Sequence, residues 1–330
     1  MKFIALVHKK DIYKNENVGN IKFFEFPNSK KSYLKRCWYE YYYFKKLSKQ
    51  LKPYLWLSLH DMTPNVVSER LAVYCHNPSP FYNISLKEIK YAKKWYIIFK
   101  LYKYLYGINI TKNDYVIVQQ NWIAKKFKEM YKIKNLLVAP PNIDVNVDSS
   151  LKENNNIEKN TFIYPAFPRF FKNFEIICKA AEVLEKEGIN NFKIYLTIDG
   201  TENLYSKEIV EKYKNLKTIK FIGLLSKEEV YKYYSKVECL IFPSKLETWG
   251  LPITEFKIFN KPMIVADLEY AHETVGDYEK AVFFNPTNEI ELKKWIFKLL
   301  NSKEEFREKK KEEINKKNIK NTWEYLFKKL

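Results

Sequence analysis

Residues 242–255 read Phe242-Pro-Ser-Lys-Leu-Glu-Thr-Trp-Gly-Leu-Pro-Ile-Thr-Glu255. Two carboxylates, Glu247 and Glu255, stand eight positions apart. Between them Gly250-Leu251-Pro252 reads as a tight turn entering a helix. Pro252 suits the first helical position, where its missing N–H would lack a partner anyway. Helix N-termini present free N–H groups and a partial positive charge, a setting for phosphate. Upstream, Glu238-Cys-Leu-Ile-Phe242 is a short apolar run of the kind that forms a buried strand. Strand, carboxylate-bearing loop, helix start and second carboxylate together can hold a diphosphate on backbone amides, with a sugar on each side.

Outward from this unit the chain alternates short apolar runs with longer helical ones, the pattern of parallel sheets flanked by helices. In the first half strands are expected at 3–8, 21–26, 55–60, 71–75, 115–119 and 136–139, and helices at 31–51, 85–106 and 122–131. The polar stretch 144–160 reads as a linker. The second half then places strands at 161–165, 193–198, 219–222, 239–242, 263–266 and 281–284. Helices are expected there at 173–187, 206–213, 227–235, 253–259 and 289–300, with a charged helix over 303–330. The expected fold class is α/β, with two Rossmann-like domains facing across a cleft. Residues 1–150 form the first domain and 151–330 the second, with the last helix packing back on the first. Ligands of such sheets bind at the C-terminal ends of the strands, and the Glu247 loop lies on that rim.

The 330 residues carry a net charge of +19. Residues 1–150 hold 26 Lys/Arg against 11 Asp/Glu, or +15, and residues 151–330 hold 32 against 28, or +4. Anionic partners are therefore expected at the first half, namely anionic lipid, a lipid-linked phosphate or nucleic acid, the competing reading being solvated lysines of a biased composition. A nucleic-acid-binding protein is set aside, because the sequence carries no nucleic-acid motif. No apolar run reaches the roughly 20 residues that span a bilayer. The four cysteines are scattered without metal-like spacing, as free buried thiols of a reducing compartment would be. A cytoplasmic protein is expected, at the inner face of the membrane where its partner is anionic lipid. The basic, aromatic run 30–52 has two readings: a packed helix with a basic outer face, which is preferred, or a helix resting on a membrane surface.

Further elements support the 242–255 unit. Arg169 and Lys172 lie in Tyr164-Pro-Ala-Phe-Pro-Arg-Phe-Phe-Lys-Asn173, at a strand-to-helix junction where two cations add to helix amides for an anion. Asp199-Gly200 ends the next strand and Gly223-Leu224 the one after it. On these residues the run 162–300 resembles the C-terminal domain of GT-B-fold retaining glycosyltransferases of family 4, also called glycosyl transferases group 1. The matching features are Arg169 with Lys172-Asn173, Asp199-Gly200, Phe221-Ile-Gly223, Phe242-Pro-Ser244 and the pair Glu247 and Glu255.

The resemblance implies a nucleotide-diphosphate sugar as donor substrate bound by the domain 151–330, a glycan or anionic lipid-linked acceptor on the side of the domain 1–150, and no separate cofactor or metal. It implies that Arg169 and Lys172 neutralise the diphosphate, aided by backbone around Thr248, Gly250 and Leu251. Glu255 would grip the ribose hydroxyls, Glu247 would face the sugar and the reacting centre, and Gly200, Gly223 and Leu224 would border the donor and its base. It further implies transfer with retention, in bacterial surface polysaccharide or lipopolysaccharide assembly.

In the first half, Leu57-Ser-Leu-His60-Asp61 and Val73-Tyr-Cys-His76-Asn77 both end apolar strands in a histidine, of which the chain has only four. His76 matches the family's histidine that faces the donor sugar, and is the second catalytic candidate. His60, Asp61 and Asn77 are acceptor-side candidates; His60-Asp61 would either orient His76 or contact the acceptor, and the competing reading of both histidines is a structural one, hydrogen-bonded to backbone. Gln119 to Trp122 are expected to line the cleft, and His8 and His272 to be structural. The family's opening strand and glycine-rich loop have no counterpart here: residues 1–150 contain only Gly19 and Gly107. The first strand-loop-helix unit is therefore expected to be missing. A non-catalytic or truncated sugar-nucleotide-binding partner protein is the alternative reading.

Overall fold

The computed structural model describes residues 2–13, 19–142, 151, 156–301 and 322–330. Strands β1 (Phe3–Val7) and β2 (Ile21–Glu25) pair in parallel as a separate two-stranded sheet. They do not join the main sheet of the first half, which the strand pattern alone could not reveal. Helix α1 (Tyr33–Trp38) runs through a π-helical turn, Tyr39–Tyr43, into α2 (Phe44–Leu51). The one helix expected over 31–51 is thus three segments, and the π turn shifts the face that α2 buries relative to α1.

Strands β3 (Leu55–Ser58), β4 (Arg70–Cys75), β5 (Tyr115–Val118) and β6 (Leu136–Val138) form a parallel sheet in that order. Helix α3 (Ile89–Gly107) lies between β4 and β5, and α4 (Asn121–Tyr131) between β5 and β6. Side chains alternate across a strand, so the two faces build separate cores. Val73, Cys75, Val116 and Val118 pack with Tyr106 of α3 and with Ile123 and Phe127 of α4. Ala72, Tyr74 and Ile117 pack on the other face with Leu326 and Leu330. Leu326 belongs to α11 (Thr322–Lys329), whose Trp323 indole donates to the Pro140 carbonyl at 3.2 Å. The end of the chain thus lies on the first half's sheet; the rest of the helix expected over 303–330 is outside the described residues.

The second half is one six-stranded parallel sheet in the order β12-β11-β10-β7-β8-β9. Its strands are β7 (Glu158–Tyr164), β8 (Lys193–Leu196), β9 (Ile219–Phe221), β10 (Val237–Phe242), β11 (Met263–Ala266) and β12 (Ala281–Phe284). Every residue of β10 is buried, as a central strand covered on both faces requires. The connecting helices are α5 (Phe174–Lys186), α6 (Leu204–Tyr213), α7 (Lys227–Lys236), α8 (Leu251–Lys257), α9 (Glu269–Val275) and α10 (Glu289–Asn301). Two corrections follow. β7 begins inside the expected linker, at Glu158, and α9 is a helix the sequence reading did not place. The strand order reverses between β7 and β10, and the crevice at such a switch point is where these sheets bind ligands. Among the described residues no helix is long and apolar enough to cross a membrane.

Candidate functional site at the switch point

The loops leaving β7 and β10 meet at this crevice. After β7 the chain makes a 3-10 turn, Phe170–Lys172, whose two phenylalanines are buried. That burial holds the flanking cations, Arg169 and Lys172, at the rim. Asn173 then takes a left-handed conformation, φ 62°, and its buried amide donates to the carbonyls of Pro243 at 3.2 Å and Pro286 at 2.8 Å. One side chain thereby ties together the loops after β7, β10 and β12. The Tyr164 hydroxyl donates to the Lys172 carbonyl at 2.8 Å, and the Lys245 N–H donates to the Phe171 carbonyl at 2.8 Å. The Lys172 ammonium, so placed, forms an ion pair with Glu247. Arg169 is exposed beside them, its guanidinium 6.0 Å from the Phe171 ring centroid.

The turn at Gly250 is sterically specified. Its φ is 82°, and a Cβ there would stand 3.2 Å from Cδ1 of Ile253 and 3.5 Å from the Phe242 and Tyr270 rings. Only glycine fits both the dihedral and the space. Pro252 follows in the first turn of α8, as its fixed φ favours. Tyr270 donates to the Ser244 carbonyl at 2.6 Å, and Thr274 to the Trp249 carbonyl, so α9 braces the loop that carries Glu247. Thr248 is half-buried in that loop, and Leu251 is exposed at the start of α8.

Glu255 is half-buried on α8. Burial raises its carboxyl pKa above the ordinary value, against the opposing pull of Lys227 and of the Tyr231 hydroxyl, which donates at 3.4 Å. Lys227 and Tyr231 come from α7, so sequence alone did not link them to Glu255. The loops after β8 and β9 also touch: a Cβ on Gly223 would stand 3.1 Å from the Asp199 carboxylate. Gly200, φ 95°, has its N–H bonded to Glu202 at 3.1 Å. Leu224 is exposed at the same rim. The donor-side candidates thus share one edge of the sheet, and Lys172 with Glu247 is the pair drawn into direct contact.

The first-half candidates separate into two groups. Asp61, buried with φ 72°, accepts from the N–H groups of His76 at 2.7 Å and Asn77 at 3.2 Å. It also accepts from the hydroxyls of Tyr106 at 2.9 Å and Tyr102 at 3.2 Å. Its carboxylate is thus engaged in fixing the loop after β4, and it holds His76, whose ring Nδ1 lies 3.4 Å from it while the side chain stays exposed. His60 instead bridges Ser58 at 3.0 Å and the buried Glu40 at 2.5 Å, a structural setting that ties β3 to the π turn. His272 pairs with Asp267 at 2.6 Å and stacks on Phe283.

The loop from His76 runs to Glu88, which lies 3.8 Å from Lys245, two residues before Glu247. Tyr82 in that loop and Phe99 of α3 pack on Phe170 and Phe171. Gln120 corrects another expectation. It is fully buried against α9, donating to Tyr270 O at 3.1 Å and Thr274 Oγ1 at 2.8 Å, and so lines no cleft. Glu273 accepts from the N–H groups of Asn121 and Trp122, capping α4 from the other half of the chain. Glu208, which reads as a solvated glutamate, in fact binds Lys90 and the Tyr91 hydroxyl of α3. Two grooves of 490 and 520 Å³ run along α3 and share Lys103 and Tyr104; neither is lined by the Lys172–Glu247 cluster. Among the described residues no group of three His, Cys, Asp or Glu could hold a metal ion.

A model of the family described as glycosyl transferases group 1 matches residues 148–320, which include the whole donor-side cluster. The chain belongs to this family. A relative described as an uncharacterized glycosyltransferase of Methanocaldococcus jannaschii is 26% identical over 205 residues, 61% of this chain. The match spans 54% of that relative's length. Among solved structures, a glycosyltransferase from Rickettsia africae superposes with a TM-score of 0.63 at 16% identity, covering 92% of this chain and 81% of that one. Sucrose-phosphate synthase from Thermosynechococcus elongatus gives 0.63 at 14% identity, covering 87% and 73%. These similarities place the group 1 chain in the GT-B architecture, two Rossmann-like domains.

Proposed function

We propose that this chain is a retaining glycosyltransferase of the family 4 type. In this reading it moves a sugar from a nucleotide-diphosphate sugar to a glycan or an anionic lipid-linked acceptor, in assembly of a bacterial surface polysaccharide. The observation that carries the reading is the Lys172–Glu247 pair at the β7/β10 switch point, in a chain of the glycosyl transferases group 1 family. Lys172 and Arg169 receive the diphosphate, with Thr248, Gly250 and Leu251 beside it. Glu247 faces the sugar, Glu255 the ribose, and Gly200, Gly223 and Leu224 border the donor and base. The bond from the anomeric carbon to the diphosphate oxygen breaks, and the acceptor oxygen bonds to that carbon on the same face. The acceptor's proton passes to the departing phosphate. Charge grows on the diphosphate as it leaves, so preplaced cations stabilise the transition state more than the ground state, and the reaction needs no metal ion. His76, positioned by Asp61 and Asn77's loop, supplies the opposing wall toward donor sugar and acceptor.

The test is a thermal-shift screen of UDP-, GDP-, ADP- and TDP-sugars, since ligand binding stabilises by mass action. Donor turnover is then assayed, and the anomeric configuration of the product read by NMR. Binding with turnover and retained configuration supports the proposal. Binding without turnover would instead favour a non-catalytic sugar-nucleotide-binding partner.

A further inference from the structure

We propose that α1, the π turn and α2 form a docking face for an anionic lipid bilayer. Residues 27–52 contain seven Lys and one Arg against a single carboxylate, Glu40, so the segment carries +7. Glu40 is buried and held by His60, and all seven lysines are exposed. The outer surface therefore presents no negative charge of its own. Its centre is apolar: Leu34 is 84% exposed, Trp38 48% and Tyr42 68%, spaced four residues apart along one stripe. Lys30, Lys31 and Lys35 lie at one end of the stripe, and Lys45, Lys46 and Lys49 at the other.

The inner face explains why these side chains stay outside. Phe44 and Leu47 are buried, Phe26 packs on Tyr39, Tyr43 and Phe44, and Ser48 accepts from the Val67 N–H at 2.9 Å. The segment is anchored from within, so its bare aromatic stripe is not the unfilled side of the core. The reading that this helix simply packs, with a basic outer face, accounts for the inner half only. An aromatic and leucine centre flanked by lysines matches the boundary between lipid headgroups and chains: rings enter the boundary, and lysines extend to the phosphates. Anionic lipid supplies the complementary charge.

This inference stands apart from the transfer reading, because vesicle binding is measured with no nucleotide sugar present. The experiment is cosedimentation of the full chain with phosphatidylcholine vesicles, with and without phosphatidylglycerol. Wild type is expected to bind the phosphatidylglycerol vesicles, less strongly as salt rises, and to leave phosphatidylcholine largely unbound. At about fivefold per surface lysine, Lys45→Gln/Lys46→Gln lowers binding roughly 30-fold. Leu34→Glu/Tyr42→Glu, at the two most exposed apolar positions of the stripe, abolishes it while melting temperature stays unchanged. Wild type that ignores anionic vesicles, or variants that bind as wild type does, would overturn the proposal. So would a single-stranded oligonucleotide that displaces the vesicles, which would assign the face to nucleic acid.

Discussion

Replacing Lys172 by Met separates what this cation does for the fold from what it does for a donor. In its pair with Glu247 the two side chains are only 19% and 15% exposed. At an effective dielectric of about 20 and a separation of ~3 Å the attraction is about 5.5 kcal/mol. Desolvation of the two groups takes back much of it, leaving about 1.5–3 kcal/mol, the usual worth of a hydrogen bond to a charged group. Lys172→Met keeps an apolar stem near Phe171 but leaves Glu247 unpaired. Over a folding unit of ~170 residues that loss corresponds to a fall in melting temperature of about 3–12 °C. Adding Glu247→Gln should restore part of the stability, because neither charge then lacks a partner. Nucleotide affinity should behave differently. Loss of the cation weakens binding of a nucleoside diphosphate by roughly 10- to 150-fold. The double variant should not recover it, since the diphosphate still lacks its cation. Glu247→Gln alone should bind the free diphosphate at least as tightly as wild type, because a neighbouring negative charge is gone. Calorimetric titration and thermal melts on all four proteins measure both quantities. Affinity that is unchanged in Lys172→Met, or that recovers together with stability in the double variant, would refute the assignment of Lys172 to the diphosphate.

Glu255→Gln should raise the melting temperature of the ligand-free protein and weaken sugar-nucleotide binding. Its carboxyl pKa is raised in the folded state, so folding favours the protonated form; the ionised form carries a cost that is fully present above the folded pKa and is relieved as pH falls through it. The stabilising effect of the amide should accordingly shrink in melts at acid pH, and a destabilised variant at neutral pH would contradict the reasoning. Gly250→Ala should cost about 1–3 kcal/mol in urea unfolding, since alanine resists φ 82° and meets Ile253; an unchanged midpoint would count against the turn geometry. Glu273→Ala removes a cap on α4 supplied from the other half of the chain and should lower stability by about 0.5–2 kcal/mol. Hydrogen exchange should then rise at Asn121 and Trp122, and unchanged protection there would show that the contact does not hold the halves together.

The alternation of strands and helices was legible because burial on both faces demands unbroken apolar runs such as those at 239–242 and 263–266. The turn at Gly250 was legible because glycine and proline each answer a specific local geometry. Helix α9 was not: seven residues with Glu, His and Thr among them show too little periodicity, although Tyr270, Ala271, Thr274 and Val275 are buried. The π turn was hidden inside a run of aromatics, which offers an apolar side chain at any helical period. Charge pairing over long sequence distance was also invisible. Glu208, Glu273 and Lys227 look like solvated surface residues, and only tertiary structure brings them to Lys90, to the start of α4 and to Glu255. His60 and His76 end neighbouring strands in the same way. What separates them is the partner: His60 bridges Ser58 and the buried Glu40, twenty residues before it, whereas His76 lies beside Asp61 on the loop after β4.

The central claim is that the β7/β10 rim binds a nucleotide sugar and transfers its sugar. It is tested most directly by measuring nucleoside diphosphate release from the donor that most stabilises the wild-type protein, in wild type and in Glu247→Ala. The account predicts multiple turnovers by wild type and at least a tenfold loss in the variant, with the variant still folded by its melting curve. Equal turnover in the two proteins, or a wild type that no nucleotide sugar stabilises, would contradict it.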